Sequence, residues 1–195
     1  MNRREALSTV ALLLGGTIIG ADAFLSGCST GVPRSAGGIL TADNISLMDE
    51  LGETILPATA GSPGAKEVRI GEFMNTIVSD CYDKKNQGLF ADGILKLDAD
   101  SKAKYQKSFM DLDATQKHDL LVILDTAAKD QAKKLADAKD DKTSPHYFAM
   151  FKQLTVWGYF TSKDGATKAL RYIAVPGHYD GDVPYKKGDK AWATS

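Results

Sequence analysis

Cysteine is scarce in this chain. Cys28 and Cys81 are the only two in 195 residues, so no disulfide framework can staple the fold. Cys81 falls on an apolar helical stripe and is expected to be a buried small hydrophobe. Histidine is nearly as rare. His118, His146 and His178 lack the spacing that sets two imidazoles on one helical face, and a structural or surface role is expected for each. Charge of one sign is also missing. The net charge is −1, and it stays −1 without the first 27 residues, which hold Arg3, Arg4, Glu5 and Asp22, two of each sign. No basic surplus supports a nucleic-acid partner. No Gly-x-Gly-x-x-Gly follows a strand, so the chain lacks a flavin or nicotinamide fingerprint. A Cys-x-x-Cys-His for covalent haem and a Gly-x-Ser-x-Gly elbow for a hydrolase are missing too. Nothing alternates with the period of two that marks strands, and nothing repeats.

What is present is ordinary globular material, 43% hydrophobic and 25% charged, long enough for one domain with a sizeable core. The periodicity predicts a mostly α chain, a single helical domain over residues 41–195 with an irregular Gly/Pro/Tyr-rich C-terminal wrap. Thr41 is the expected N-cap of the first helix, with Ile45, Met48, Leu51 and Ile55 as its stripe and Pro57 as its stop. Ile70, Phe73, Met74, Ile77 and Cys81 mark a second helix. The spacing then predicts two short helices, one around Leu89–Leu97 and one over Ser101–Met110. Asp113 with Gln116 forms a capping-box start for the longest helix, carried by Leu120, Leu121, Leu124, Ala128, Ala132 and Leu135. Ser144-Pro145 is the expected cap and first position of the next. Glu53, Glu72 and Asp80 lack His or Cys companions and read as a solvated helix face.

Residues 1–27 read as a leader and 28–40 as a tether. Arg3-Arg4 precedes an apolar run from Ala6 to Ala21, shorter and more Gly-rich than the roughly 20 apolar residues of a membrane span. Paired arginines before such a run look like a twin-arginine export signal, a route for folded proteins. Two cleavage signals compete. Leu25-Ser26-Gly27-Cys28 resembles a bacterial lipobox, which would acylate Cys28, and Ala21-Asp22-Ala23 fits an ordinary signal peptidase. The lipobox is preferred because all four positions fit and the polar Ser29-Thr30-Gly31 follows. The expected location is therefore the periplasm, as a membrane-anchored lipoprotein.

The densest stretch is Gln153 to Tyr185, with four of the seven tyrosines and one of the two tryptophans. Phe151, Leu154, Thr155 and Tyr159 keep helical spacing, and Gly158 and Gly165 permit close approach of another element. Val175-Pro176-Gly177 is the expected stop of this helix. A tail so aromatic either wraps its own helices or lies on a partner. Its aromatics, its Arg and its Pro-Gly turn make Trp157, Tyr159, Phe160, Arg171, Tyr172, Pro176, Gly177 and Tyr179 the candidate partner interface, since Trp, Tyr and Arg are enriched at hot spots.

Two segments together resemble the gluconate 2-dehydrogenase subunit 3 family. One is Glu53-Thr54-Ile55-Leu56-Pro57-Ala58-Thr59 with Ser62-Pro63-Gly64-Ala65, Glu72-Phe73 and Asp80-Cys81-Tyr82. The other is Gly158-Tyr159-Phe160-Thr161-Ser162, Gly165-Ala166-Thr167-Lys168-Ala169-Leu170-Arg171-Tyr172, Val175-Pro176-Gly177 and Pro184-Tyr185. The resemblance implies a non-catalytic small subunit without a cofactor of its own. Its partner would be a flavoprotein of the glucose–methanol–choline type that holds FAD and oxidises a sugar, sugar acid or alcohol. A multi-haem cytochrome c subunit often takes the electrons onward in such complexes. The small subunit brings the export signal and carries the flavoprotein with it. The competing reading is a free-standing periplasmic lipoprotein that binds a small ligand or the cell envelope. A small enzyme comes third, disfavoured by the missing motifs.

Overall fold

A computed structural model describes residues 38–139, 143–175, 177–178 and 181–193. The paired Arg3 and Arg4, Cys28, Pro176 and Tyr179 lie outside the described residues, as does most of the expected tether. The fold is mostly helical. Among the described residues there are five α-helices and no β-strand.

Helix α1, Ala42–Ile55, starts where the sequence places it. The Thr41 hydroxyl accepts from the Asn44 N–H, 3.2 Å, one of the amides that has no partner inside a first helical turn. Its inner side is Met48, Leu51 and Gly52, and Pro57 follows its end. Helix α2, Ile70–Cys81, buries Ile70, Met74 and Val78 against α1. The close approach needs Gly71. A Cβ there would sit 2.3 Å from the Ile45 carbonyl oxygen.

Cys81 is exposed, contrary to expectation. The helical angle was read correctly, but α2 ends at this residue and the chain turns away. The carbonyls of its last turn are closed by Gln87, whose amide donates to Val78, Ser79 and Tyr82 at 3.0–3.1 Å.

Helix α3 runs unbroken from Lys84 to Tyr105, where the spacing predicts two short helices. Its buried row is Phe90, Ile94, Leu97 and Ser101. The polar stretch from Asp98 looks like a break because it lacks apolar side chains. It is instead bonded to the returning chain: Asp98 accepts from the Phe109 N–H, 3.1 Å, and the Ser101 hydroxyl donates to the Lys107 carbonyl, 2.8 Å. A 3-10 turn, Phe109–Asp111, then tucks Phe109 fully into the core.

Helix α4, Ala114–Ala138, is the longest and has the expected capping box. The Asp113 carboxylate accepts from the Gln116 N–H at 2.8 Å, and the Gln116 side chain accepts from the Asp113 N–H at 3.3 Å. Leu120, Leu121, Leu124 and Ala128 are buried, whereas Ala132 is exposed because the helix outruns its neighbours.

Helix α5, Tyr147–Thr161, touches all four others. It is apolar on nearly every side, with Gln153, Val156 and Trp157 left exposed. Its cap is His146 rather than Ser144. The Ser144 carbonyl is taken by the Gln131 side chain, 3.1 Å, which holds Ser144 and Pro145 outside the helix. Phe151 is completely enclosed, with Phe90 and Tyr147 edge-on at ring-centroid distances of 4.7 and 5.5 Å. Gly158 lets α2 come in, since a Cβ there would meet Phe73 and Ile70 at about 2.5 Å or less.

The helix ends at Thr161, well before the expected stop at Val175. The Ser162 hydroxyl donates to the Tyr159 carbonyl, 2.7 Å, and accepts from the Gly165 N–H, 3.0 Å. Those two bonds divert the backbone into a short π-helical turn, Gly165–Ala169. From Leu170 onward the described chain has no helix.

Candidate functional site

Three carboxylates of α1 organise one end of the molecule. Asp49 accepts from the Gly71 N–H, 2.7 Å, and burial pushes its carboxyl above the usual range. Glu50 pairs with Lys117 of α4 at 2.8 Å and with Lys66 at 3.0 Å, and these two ammonium groups, Lys117 foremost, hold its carboxyl below the usual range. Glu53 accepts from the N–H groups of Ala58 and Lys66, 2.9 and 3.0 Å. The expected solvated acidic face is therefore correct for the exposed Glu72 and Asp80 and wrong for Glu53, which clamps the loop over Pro57–Arg69. Gly64 lies so close to this carboxylate that a Cβ would collide with it at 2.0 Å.

The same loop receives the end of α5. The Tyr159 hydroxyl donates to the Pro63 carbonyl, 2.7 Å, in a buried contact. Farther on, Lys190 donates to the Gly61 carbonyl at 3.2 Å. The two sequence segments that carry the resemblance thus meet through the buried contact of Tyr159 with Pro63, 96 residues apart in the chain.

The candidate interface residues divide. Tyr159 is only 3% exposed and is a core residue of this chain, so it leaves the set of surface residues. Phe160 is half-buried and packs edge-on against Tyr159, 5.0 Å. Trp157 and Tyr172 are about half exposed, 48% and 49%. Trp157 rests edge-on against Phe73 at 5.4 Å. Arg171 is half-buried, and Gly177 is exposed with φ 77°, a value that suits glycine. Sequence reasoning missed Ile173, Val175, Val183 and Trp192, all large and exposed. The signal for Trp192 was there, a second Trp in a segment otherwise made of Lys, Asp, Gly and Ala. A shallow apolar groove also runs between α4 and α5 over Ala128, Ala149 and Val156 to Trp157. Asp125 lies on its rim, paired with Lys129 and Lys152 at 2.7 Å each.

No group of three metal-type side chains occurs among the described residues, and no described helix is long and apolar enough to cross a membrane. The model of the family described as gluconate 2-dehydrogenase subunit 3 matches residues 42–177. The chain belongs to that family. No curated protein and no solved structure matches it. The subunit 3 match takes in all five helices and the π-helical turn, and stops within the exposed C-terminal segment.

In this subunit 3 chain His146 caps α5. Its Nδ1 accepts from the Phe148 N–H, 3.2 Å, and can do so only while unprotonated. Burial lowers its pKa, as does Lys96, with Asp100 opposing. A histidine depressed in the folded state stabilises fully above its ordinary pKa of 6.5 and loses that contribution as pH falls through the folded value. The urea midpoint should therefore drop between pH 7.5 and 5.5. His146→Asn keeps a capping oxygen and should flatten this part of the profile. An unchanged slope in that variant would assign the titration elsewhere.

Proposed function

We propose that this chain is the non-catalytic small subunit of a periplasmic FAD-dependent sugar, sugar-acid or alcohol dehydrogenase. It guides export of the flavoprotein subunit, a glucose–methanol–choline-type enzyme, and stabilises it after folding. Membership of the subunit 3 family supplies the class of complex. The observation that carries the reading is the exposed segment after α5, where Tyr172, Ile173, Val175, Val183, Tyr185 and Trp192 lie on the surface, six of the thirteen large exposed hydrophobic side chains among the described residues. Monomeric soluble proteins rarely leave large apolar patches open, and such patches mark binding surfaces. FAD belongs to the partner in this scheme. Electrons pass onward to a multi-haem cytochrome c subunit, and acylated Cys28 anchors the assembly to the membrane.

The test is export of both subunits from one cell. Replacing Arg3 and Arg4 together by Lys should strand subunit and flavoprotein in the cytoplasm, with near-complete loss of periplasmic dehydrogenase. A flavoprotein that still reaches the periplasm refutes joint export. The mass of the mature N-terminus in the wild-type sample decides the anchor: acylated Cys28 supports it, and a chain beginning at Phe24 with a free thiol removes it.

A further inference from the structure

The exposed segment is closed at its base. The Arg171 N–H donates to the Ala191 carbonyl and the Ala193 N–H donates to the Arg171 carbonyl, both 2.8 Å, a parallel bridge that sets Arg171 beside Trp192. The Arg171 guanidinium lies over the Trp192 ring, 4.5 Å from its centroid, and its Nε is buried without a hydrogen-bond partner. The π-face of the tryptophan is the partner its charge meets. Next to this pair, Lys190 donates to the carbonyls of Gly61 and Lys168. One short stretch, 190–193, is thereby fastened to the end of the π-helical turn and to the loop that Glu53 clamps.

Between those fastenings every described residue from Tyr172 to Lys190 is exposed. The excursion carries Tyr172, Ile173, Val175, Val183 and Tyr185 outward and is stiffened near its return by a turn in which Lys186 and Asp189 bond each other, 3.0 Å in both directions. Its described residues are exposed, and the base is where it is joined to the π-helical turn and the 57–69 loop. Parallel pairing needs a long connection between its two strands, and fixing the ends of a loop removes much of its freedom. A loop ordered in advance loses less entropy when it docks.

We infer that Arg171, Trp192 and Lys190 form a latch that holds residues 172–175 and 181–189 in place for docking on the flavoprotein subunit. The inference rests on the function proposed above. Trp192 and Lys190 are positioning residues in it, and Tyr185 is a contact.

The experiment uses the full chain, alone and co-expressed with its flavoprotein. Trp192→Ala should speed hydrogen exchange at the Arg171 and Ala193 amides in the free subunit, leave the melting of the five helices unchanged, and weaken the complex about fivefold to tenfold. Trp192→Phe keeps an aromatic face for Arg171 and should restore most of the protection and affinity. Tyr185→Ala should leave exchange as in the wild type and weaken the complex about thirtyfold, the size of a 2 kcal/mol hot spot. Unchanged exchange in Trp192→Ala overturns the latch. Faster exchange with unchanged affinity overturns it as well, because the loop would then be ordered for nothing. A wild-type subunit that forms no complex, or a Tyr185→Ala chain that binds as tightly as wild type, refutes the docking surface instead, whatever the exchange shows.

Discussion

Phe151→Ala should lower the stability of the subunit by about 3–5 kcal/mol. The ring is wholly enclosed at the centre of α5, and its loss opens a cavity between Phe90, Tyr147 and the neighbouring helices. Two edge-to-face aromatic contacts go with it, each worth about 0.5–1.5 kcal/mol beyond buried area. Small domains are stable by only about 5–15 kcal/mol, so this variant stands near the threshold of folding. Trp157→Ala, six residues farther along the same helix, is the comparison. That ring is half exposed and has one aromatic neighbour, Phe73, so about 1 kcal/mol is expected. Urea unfolding followed by circular dichroism measures both. Equal losses would contradict the placement of α5 at the centre of the bundle.

Glu50→Ala should cost about 2–3 kcal/mol, toward the lower end for breaking a buried ion pair, because the Glu50 side chain keeps 23% of its exposure. The loss leaves Lys117, whose side chain is only 11% exposed, without its counter-charge and loosens Lys66 at the clamped loop. Lys117→Met takes away the charge and its desolvation together, leaves Glu50 paired with Lys66, and should change stability by no more than about 1 kcal/mol. The asymmetry is the test. If Lys117→Met proves as costly as Glu50→Ala, the ammonium contributes more than it loses by burial. The pH profile gives a second check. Glu50's depressed carboxyl contributes stability above its ordinary pKa of 4.5 and loses it as pH falls through the folded value. The acid limb of the stability profile should therefore be shallower in Glu50→Ala.

Local signals were legible wherever one residue satisfied one orphan backbone group. Thr41 and the Asp113–Gln116 box start their helices as read, since the side chains that cap are short and near in sequence. The stops and joins were less legible because distant chain decides them. Asp98 and Ser101 look like a helix break until the returning 107–109 segment accepts and donates to them. Ser144 looks like a cap until Gln131 takes its carbonyl. Cys81 has the right angle for burial but stands where nothing reaches it. At the candidate surface, composition marked the correct stretch but could not sort its members. Tyr159 and Tyr172 are the same residue type, yet one bonds Pro63 inside the molecule and the other faces outward. Glu53, Glu72 and Asp80 look alike in sequence, yet Glu53 holds the loop through the Ala58 and Lys66 amides while the other two are exposed.

The place of α5 in the chain has a consequence for biosynthesis. It is the helix on which the other four lean, and it is the last of the five to be made. At about 5–20 residues per second, roughly five to twenty seconds separate the emergence of α1 from that of α5. Until then the ribosome displays four helices whose apolar stripes have no common axis to close upon. The α1–α2 hairpin can zip early through its glycine contact at Ile45, and α3 and α4 find only part of their packing before α5 arrives. A chain cut short before Tyr147 is therefore not a smaller version of this protein. It lacks the helix that covers those stripes, and the apolar surface left open is what chaperones and proteases meet.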